Sequence, residues 1–179
     1  MFSGDFPGYY CPFDDDVRYS ENCVHQLICK YEEYGRKAIV SFHGERYPTK
    51  DGEILACYGG SKISLFRREV WHGDEFCHAI GGCCTAMRPS DFSFGKELFL
   101  SEPKNLGDDE IMALWAQKNE VPLIAVDNTH CLLYAQEYDR KVGLYYTHKR
   151  ENHRYNVLKS YRNWHLVTCV PKKVSNESK

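Results

Sequence analysis

The sequence lacks long apolar runs and carries little net charge. None of its apolar stretches approaches the roughly 20 residues that a membrane-spanning helix needs, so we expect no membrane segment. The formal net charge is −2, and no long block of basic residues is present. Because nucleic-acid binding normally leaves a strong basic footprint, we do not expect nucleic acid as a partner.

The chain also lacks the marks of secretion. Residues 1–8 do not show the basic-then-apolar order of a secretory signal. The nine cysteines are odd in number and unevenly spaced, and 179 residues are enough to form a core without cross-links. We therefore expect reduced thiols rather than a disulfide framework, and a cytoplasmic protein.

The composition that is present is that of a globular domain. Hydrophobic residues make up 42% of the chain and charged residues 27%. The length predicts one domain over residues 1–170, followed by a polar tail at 171–179.

Two helices are predicted most clearly. Apolar residues at helical spacing over 23–31 predict the first, with Ser20 as its N-cap and Gly35 as its stop. Three acidic residues followed by an apolar face predict the second over 108–118. Further helices are predicted at 65–75 and 91–100, and strands at 38–42, 53–58, 121–126, 131–135, 142–147 and 154–158. The order indicates an α+β domain, with helices first and then an antiparallel sheet.

The start of the first helix is a favourable position for a nucleophilic thiol. A thiol reacts as its thiolate, which a helix N-terminus and a nearby histidine both stabilise. Cys23 occupies this position, and we predict His153 as its partner because it enters a strand that can run beside the helix. Backbone amides of Cys23 and of the loop before it, Ser20, Glu21 and Asn22, are predicted to form the oxyanion hole.

Three blocks of sequence occur in an order that resembles a known family. Residues 20–28 read SENCVHQLI, residues 103–116 read PKNLGDDEIMALWA with VPLIAV at 121–126, and residues 151–158 read ENHRYNVL. They resemble the nucleophile helix, the central segment and the terminal histidine block of the ovarian-tumour (OTU) family of cysteine proteases, which are mostly deubiquitinases. The resemblance implies a papain-like OTU-type domain, in which N-terminal helices pack on a C-terminal, mostly antiparallel sheet. The long connection at 36–62 is expected to form an added hairpin.

The third catalytic group departs from the family pattern. The residue two positions after the histidine is Tyr155, where the family usually has Asp or Asn. An imidazole needs a partner on its other nitrogen, and Asn156 is the first candidate. The alternatives are the acidic residues just ahead of the nucleophile, Asp14, Asp15 and Asp16.

The implied activity is a thiol-dependent isopeptidase that removes ubiquitin or a ubiquitin-like modifier from lysine, without a cofactor. Tyr155 keeps a second hypothesis open, in which the chain is a non-catalytic ubiquitin- or protein-binding module on the same fold. A third alternative is a papain-like protease that uses Cys23, His78 and Asp91.

A cluster of metal-binding residue types lies in the middle of the chain. Cys77, His78, Cys83 and Cys84 occur close together, but they lack the two Cys-x₂-Cys-type pairs that zinc sites usually show. We therefore expect packed, reduced cysteines and no metal site. A metal-dependent or nucleic-acid-binding protein that uses this cluster is the most distant alternative.

Overall fold

Four helices and ten short strands lie within the residues that the computed structural model describes, namely 6–14, 17–56, 73–81, 85–93, 107–128, 134–135 and 153–168. The helices are α1 (Cys23–Glu33), α2 (Pro89–Phe92), α3 (Asp108–Lys118) and α4 (His153–Ser160). The strands are β1 (Val17–Arg18), β2 (Ile39–Ser41), β3 (Gly44–Glu45), β4 (Thr49–Lys50), β5 (Glu53–Ile54), β6 (Glu75–Cys77), β7 (Ala79–Ile80), β8 (Thr85–Ala86), β9 (Leu123–Ala125) and β10 (Tyr134–Ala135).

The largest sheet is mixed and has the strand order β6–β9–β2–β8. β2 runs parallel to β9, with Ile39 opposite Leu123, while β6 and β8 are antiparallel to their neighbours. Every residue of β2 and β9 is buried, as expected for central strands covered on both faces. The fold is therefore α+β. Most of the described strand pairs are antiparallel, as predicted, and the exception is β2 with β9. The predicted order of helices first and then a C-terminal sheet is wrong, because the strands of the four-stranded sheet come from residues 39–125.

α1 packs against β2 and β8 through a buried face of Cys23, Leu27 and Tyr31. It ends at Glu33, and Gly35 follows in the left-handed region with a φ of 62°, so the predicted stop is confirmed. The predicted N-cap is wrong. The N-cap residue is Asn22, because the Ser20 carbonyl accepts the Cys23 N–H at 3.1 Å and closes a turn before the helix.

α3 confirms the second predicted helix at both ends. Its first turn is acidic and its last turn contains Lys118, as the helix dipole favours. Its apolar residues contribute to two clusters of buried side chains. Met112 packs in the main cluster around α1 and the four-stranded sheet, whereas Leu114 packs in a second cluster. α3 thus joins the two parts of the core.

The second cluster includes Tyr47, Leu158 and Trp164, and it explains why residues 153–160 are helical. The prediction of a strand over 154–158 is wrong. Tyr155 and Leu158, three residues apart, both pack in this cluster, which a helix allows and a strand does not. The indole N–H of Trp164 also donates to the Leu158 carbonyl at 2.8 Å, satisfying a carbonyl near the end of α4.

The added hairpin expected within 36–62 is confirmed as the β4–β5 pair. Asp51 and Gly52 form its turn with φ values of 52° and 79°, the positive values that a type I′ turn requires. The Gly52 carbonyl accepts the Trp164 N–H at 2.9 Å, so the turn is fixed to the C-terminal segment.

Four of the remaining predicted strands are confirmed, since strands are found within 38–42, 53–58, 121–126 and 131–135. The bounds of the helix predicted at 91–100 are wrong, because α2 begins at Pro89 and ends at Phe92, where Ser93 turns into the left-handed region with a φ of 55°. Residues 94–100 lie outside the described residues. The helix predicted at 65–75 is wrong in its described part, because Gly73 and Asp74 are not helical and Glu75 begins β6. Residues 65–72, 142–147 and 171–179 lie outside the described residues. Within the described ranges, no helix has the length and apolar character to cross a membrane.

Candidate functional site

Cys23 is the first residue of α1, and its side chain faces the core. It is 2% exposed and belongs to the main cluster, together with Leu27 and Tyr31. The preceding turn residues, Glu21 and Asn22, are exposed. The predicted nucleophile therefore stands at the positive end of a helix, but beneath the surface.

The predicted oxyanion hole has one amide fewer than expected around the thiol. The Cys23 N–H donates to the Ser20 carbonyl, so this group is already used within the turn. The Asn22 carbonyl accepts the Gln26 N–H at 3.0 Å, the first hydrogen bond of α1. Of the predicted donors, the amides of Ser20, Glu21 and Asn22 stay as candidates.

His153 is the first residue of α4, not of a strand. α4 packs against α3 and β5, whereas α1 packs against β2 and β8. Cys23 thus belongs to the main cluster, while α4 contributes its buried Leu158 to the second. The pairing of Cys23 with His153 stays a prediction.

Asn156, the predicted third group, lies one helical turn after His153. Positions three apart share a face of a helix, whereas a regular strand puts them on opposite faces. The helical backbone of α4 therefore suits a pairing of positions 153 and 156 better than the predicted strand does. The Asn156 side chain is exposed. Among the alternatives, Asp14 is exposed and its backbone N–H donates to the Tyr19 hydroxyl at 2.8 Å. Asp15 and Asp16 lie outside the described residues.

His78, the histidine of the papain-like alternative, is a buried member of the core. Its Nδ1 accepts the Tyr47 N–H at 2.9 Å, its ring stacks on Tyr47, and the Trp164 ring meets it edge-on. Burial, with the nearby charge of Arg46, lowers the pKa of His78 to about 4. It is therefore neutral near pH 7 and held by aromatic rings.

Asp91, the carboxylate of the same alternative, is also occupied elsewhere. Its Oδ2 accepts a 2.8 Å hydrogen bond from the Tyr31 hydroxyl, and Arg36 and Arg88 approach the same oxygen at 4.0 Å. Among the described residues, no hydrogen bond joins His78 to Asp91. The structure does not bring these two together.

The cysteine cluster considered for zinc is described in part. Cys77 is buried, its thiol donates to the Glu75 carbonyl, and burial raises its pKa to about 12. Such a thiol is a poor metal ligand because it must lose its proton to bind. Cys83 and Cys84 lie outside the described residues. Within the part of the chain that the structure describes, no group of three or more potential metal ligands occurs.

A cysteine–histidine pair that was not predicted from the sequence lies on the outer face of α1. His25 Nε2 and Cys29 Sγ are 3.6 Å apart, and both residues are exposed. The signal was the spacing, since residues four apart lie one above the other on a helix.

No family model and no curated protein matches this sequence. The likeness to the OTU family therefore consists of the three ordered blocks of sequence.

Proposed function

We propose that the chain is a thiol-dependent isopeptidase of the OTU type, acting on ubiquitin or a ubiquitin-like modifier. The observation that carries the proposal is the position of Cys23 as the first residue of an 11-residue helix. The partial positive charge at a helix N-terminus stabilises a thiolate there.

In the proposed reaction, the Cys23 thiolate attacks the carbonyl carbon of the modifier's C-terminal glycine. The tetrahedral intermediate collapses by breaking the bond to the lysine nitrogen, and protonated His153 gives its proton to the leaving amine. Water, deprotonated by His153, then hydrolyses the thioester and restores the thiol. The amides of Glu21 and Asn22 are the proposed donors to the oxyanion.

The burial of Cys23 adds one requirement to this mechanism. At 2% exposure the thiol is out of reach of a modifier's C-terminus, so substrate binding has to displace the residues that cover it. The adjacent turn at Glu21 and Asn22 is exposed and Val24 beside it is 39% exposed, so we propose that this segment moves to admit the substrate. Catalytic contacts often tighten only in the complex.

The test is reaction with a ubiquitin that carries an electrophile at its C-terminus. We expect a covalent adduct in the unsubstituted chain and none in Cys23→Ala. Cys29→Ala is the matched control, because Cys29 lies on the exposed face of the same helix. His153→Ala is expected to slow the adduct, with His25→Ala as its control. An adduct that persists in Cys23→Ala would refute the nucleophile assignment.

A second candidate function is a non-catalytic module that binds ubiquitin or another protein. It is favoured by the burial of the Cys23 thiol and by the helix that begins at His153, where the sequence pattern predicts a strand. It predicts measurable binding of unmodified ubiquitin by calorimetry, no adduct with the electrophilic probe, and the same affinity in Cys23→Ala.

A further inference from the structure

The exposed face of α1 presents two metal-binding atoms side by side. Cys29 Sγ lies 3.6 Å from His25 Nε2, and both residues are exposed. Cys23 and Leu27 on the same helix are buried, so the pair points away from the proposed nucleophile.

The separation of the two atoms fits coordination of one ion. Zinc binds a cysteine sulfur at about 2.3 Å and a histidine nitrogen at about 2.0–2.1 Å, so a tetrahedral angle places the two donor atoms about 3.6 Å apart. The pair already has this spacing. An ion can therefore bridge the two side chains with little rearrangement, and thiolate with imidazole is a ligand set that suits zinc.

The charges beside the pair do not oppose a cation. Glu33 follows Cys29 by four residues within α1, which puts a carboxylate one turn further along the same face of the helix. Lys30, which follows Cys29 in the chain, contacts Asp74 at 2.9 Å and Glu33 at 3.4 Å. Its positive charge is thus largely balanced and does not oppose an ion.

We propose that His25 and Cys29 bind one zinc ion on the surface of α1, with water in the remaining coordination positions. Binding replaces the thiol proton by the metal, and the proton passes to solvent. The ion links two successive turns of α1 and stabilises the helix in its folded form. This site is independent of the isopeptidase proposal, because neither residue is part of that mechanism.

Cobalt is the probe for this site, because a thiolate bound to Co²⁺ gives a charge-transfer band in the near ultraviolet. The reduced, metal-free full chain is titrated with Co²⁺, and bound cobalt is then displaced with Zn²⁺. We expect the band in the unsubstituted chain and its loss in Cys29→Ser. His25→Ala is expected to weaken Co²⁺ binding at least about tenfold. A band that survives Cys29→Ser, or an unchanged affinity in His25→Ala, overturns the proposal.

Two control variants separate these ligands from other thiols and imidazoles. Cys11→Ser changes a half-buried cysteine, and His165→Ala changes an exposed histidine that contacts Glu120. Both are expected to keep the band and the affinity. As a second readout, zinc is expected to raise the Tm of the unsubstituted chain but not that of Cys29→Ser. If zinc raises the Tm of the unsubstituted chain and of Cys29→Ser equally, the ion binds elsewhere and the proposed site is refuted.

Discussion

The Asp74 carboxylate accepts a hydrogen bond from the backbone of Asp127, whose own carboxylate accepts one from the residue before Asp74. Asp74 Oδ1 accepts the Asp127 N–H at 2.9 Å, and Asp127 Oδ2 accepts the Gly73 N–H at 2.9 Å. The second oxygen of Asp74 accepts from Lys30 Nζ and from the Tyr34 hydroxyl, each at 2.9 Å. One carboxylate therefore ties the start of β6, the end of β9 and the last turns of α1 together.

Replacing this carboxylate is expected to destabilise the protein strongly. Asp74→Ala removes three hydrogen bonds to a charged, largely buried acceptor and leaves the Lys30 ammonium without its closest partner. We expect the free energy of unfolding in urea to fall by about 2–4 kcal/mol.

The control for Asp74→Ala is Glu33→Ala, which removes the other carboxylate beside Lys30. Glu33 is 44% exposed, and an exposed ion pair contributes at most about 1 kcal/mol. If both substitutions cost the same, Asp74 has no special role in joining the three elements.

The burial of His78 predicts a loss of stability at mildly acidic pH. Its pKa is lowered from the ordinary 6.5 to about 4 in the folded protein, so between these values the unfolded chain binds more protons. The stabilisation from neutral His78 is therefore complete above pH 6.5 and is lost as the pH falls towards 4, by about 3 kcal/mol in total.

His78→Asn isolates this effect, because its amide oxygen can still accept the Tyr47 N–H but does not titrate. Unfolding free energies at pH 7 and pH 4.5 are expected to differ less in the variant than in the unsubstituted chain. His25→Asn, at an exposed histidine, is expected to leave the difference unchanged. Equal pH dependence in all three proteins contradicts the buried, neutral state of His78.

The helices show what local sequence can and cannot predict. α1 was predictable from its apolar spacing and the glycine that follows it, and α3 from its apolar spacing and acidic first turn. All of these signals lie in or next to the helix itself. In α4, Tyr155 and Val157 alternate with polar residues as in a strand. The helix is determined instead by the packing of Leu158 against Trp164, in a segment that follows it. Such contacts override the weak local preference.

The candidate site likewise has features that local sequence predicts and features that depend on distant parts of the chain. The position of Cys23 at a helix start was predictable from the sequence. Its burial depends on β2 and β8, which are distant along the chain, and the parallel pairing of β2 with β9 has no short-range signal. The His25–Cys29 pair was within reach of sequence analysis, since only the four-residue spacing was needed.

Gly44 is expected to tolerate no larger residue. A Cβ at this position would overlap Cys77 Sγ and lie 2.9 Å from Ala125 Cβ, so β3 passes directly over the sheet at this point. Gly44→Ala is expected to lower the unfolding free energy by about 1–3 kcal/mol through overpacking. In a Cys77→Ala background, the cost of Gly44→Ala is expected to be smaller, because the overlapping sulfur is gone. If Gly44→Ala lowers the unfolding free energy equally in both backgrounds, the contact with Cys77 is not the cause of the destabilisation.

The described cysteines are expected to differ widely in reaction with iodoacetamide. Cys29 is exposed, whereas Cys77 is buried and its pKa is raised to about 12, so at pH 8 only about one Cys77 in 10⁴ is a thiolate. In EDTA, which removes any bound metal, mass spectrometry of the native protein is expected to show alkylation of Cys29 at least about 100-fold faster than that of Cys77. Cys23, at 2% exposure, is expected to be protected as well. In denaturing urea the three rates are expected to converge, because the difference arises from the fold.

Rapid labelling of Cys77 in the native protein contradicts its packing under β3. Labelling of Cys23 by the ubiquitin probe but not by iodoacetamide indicates that the modifier opens the site.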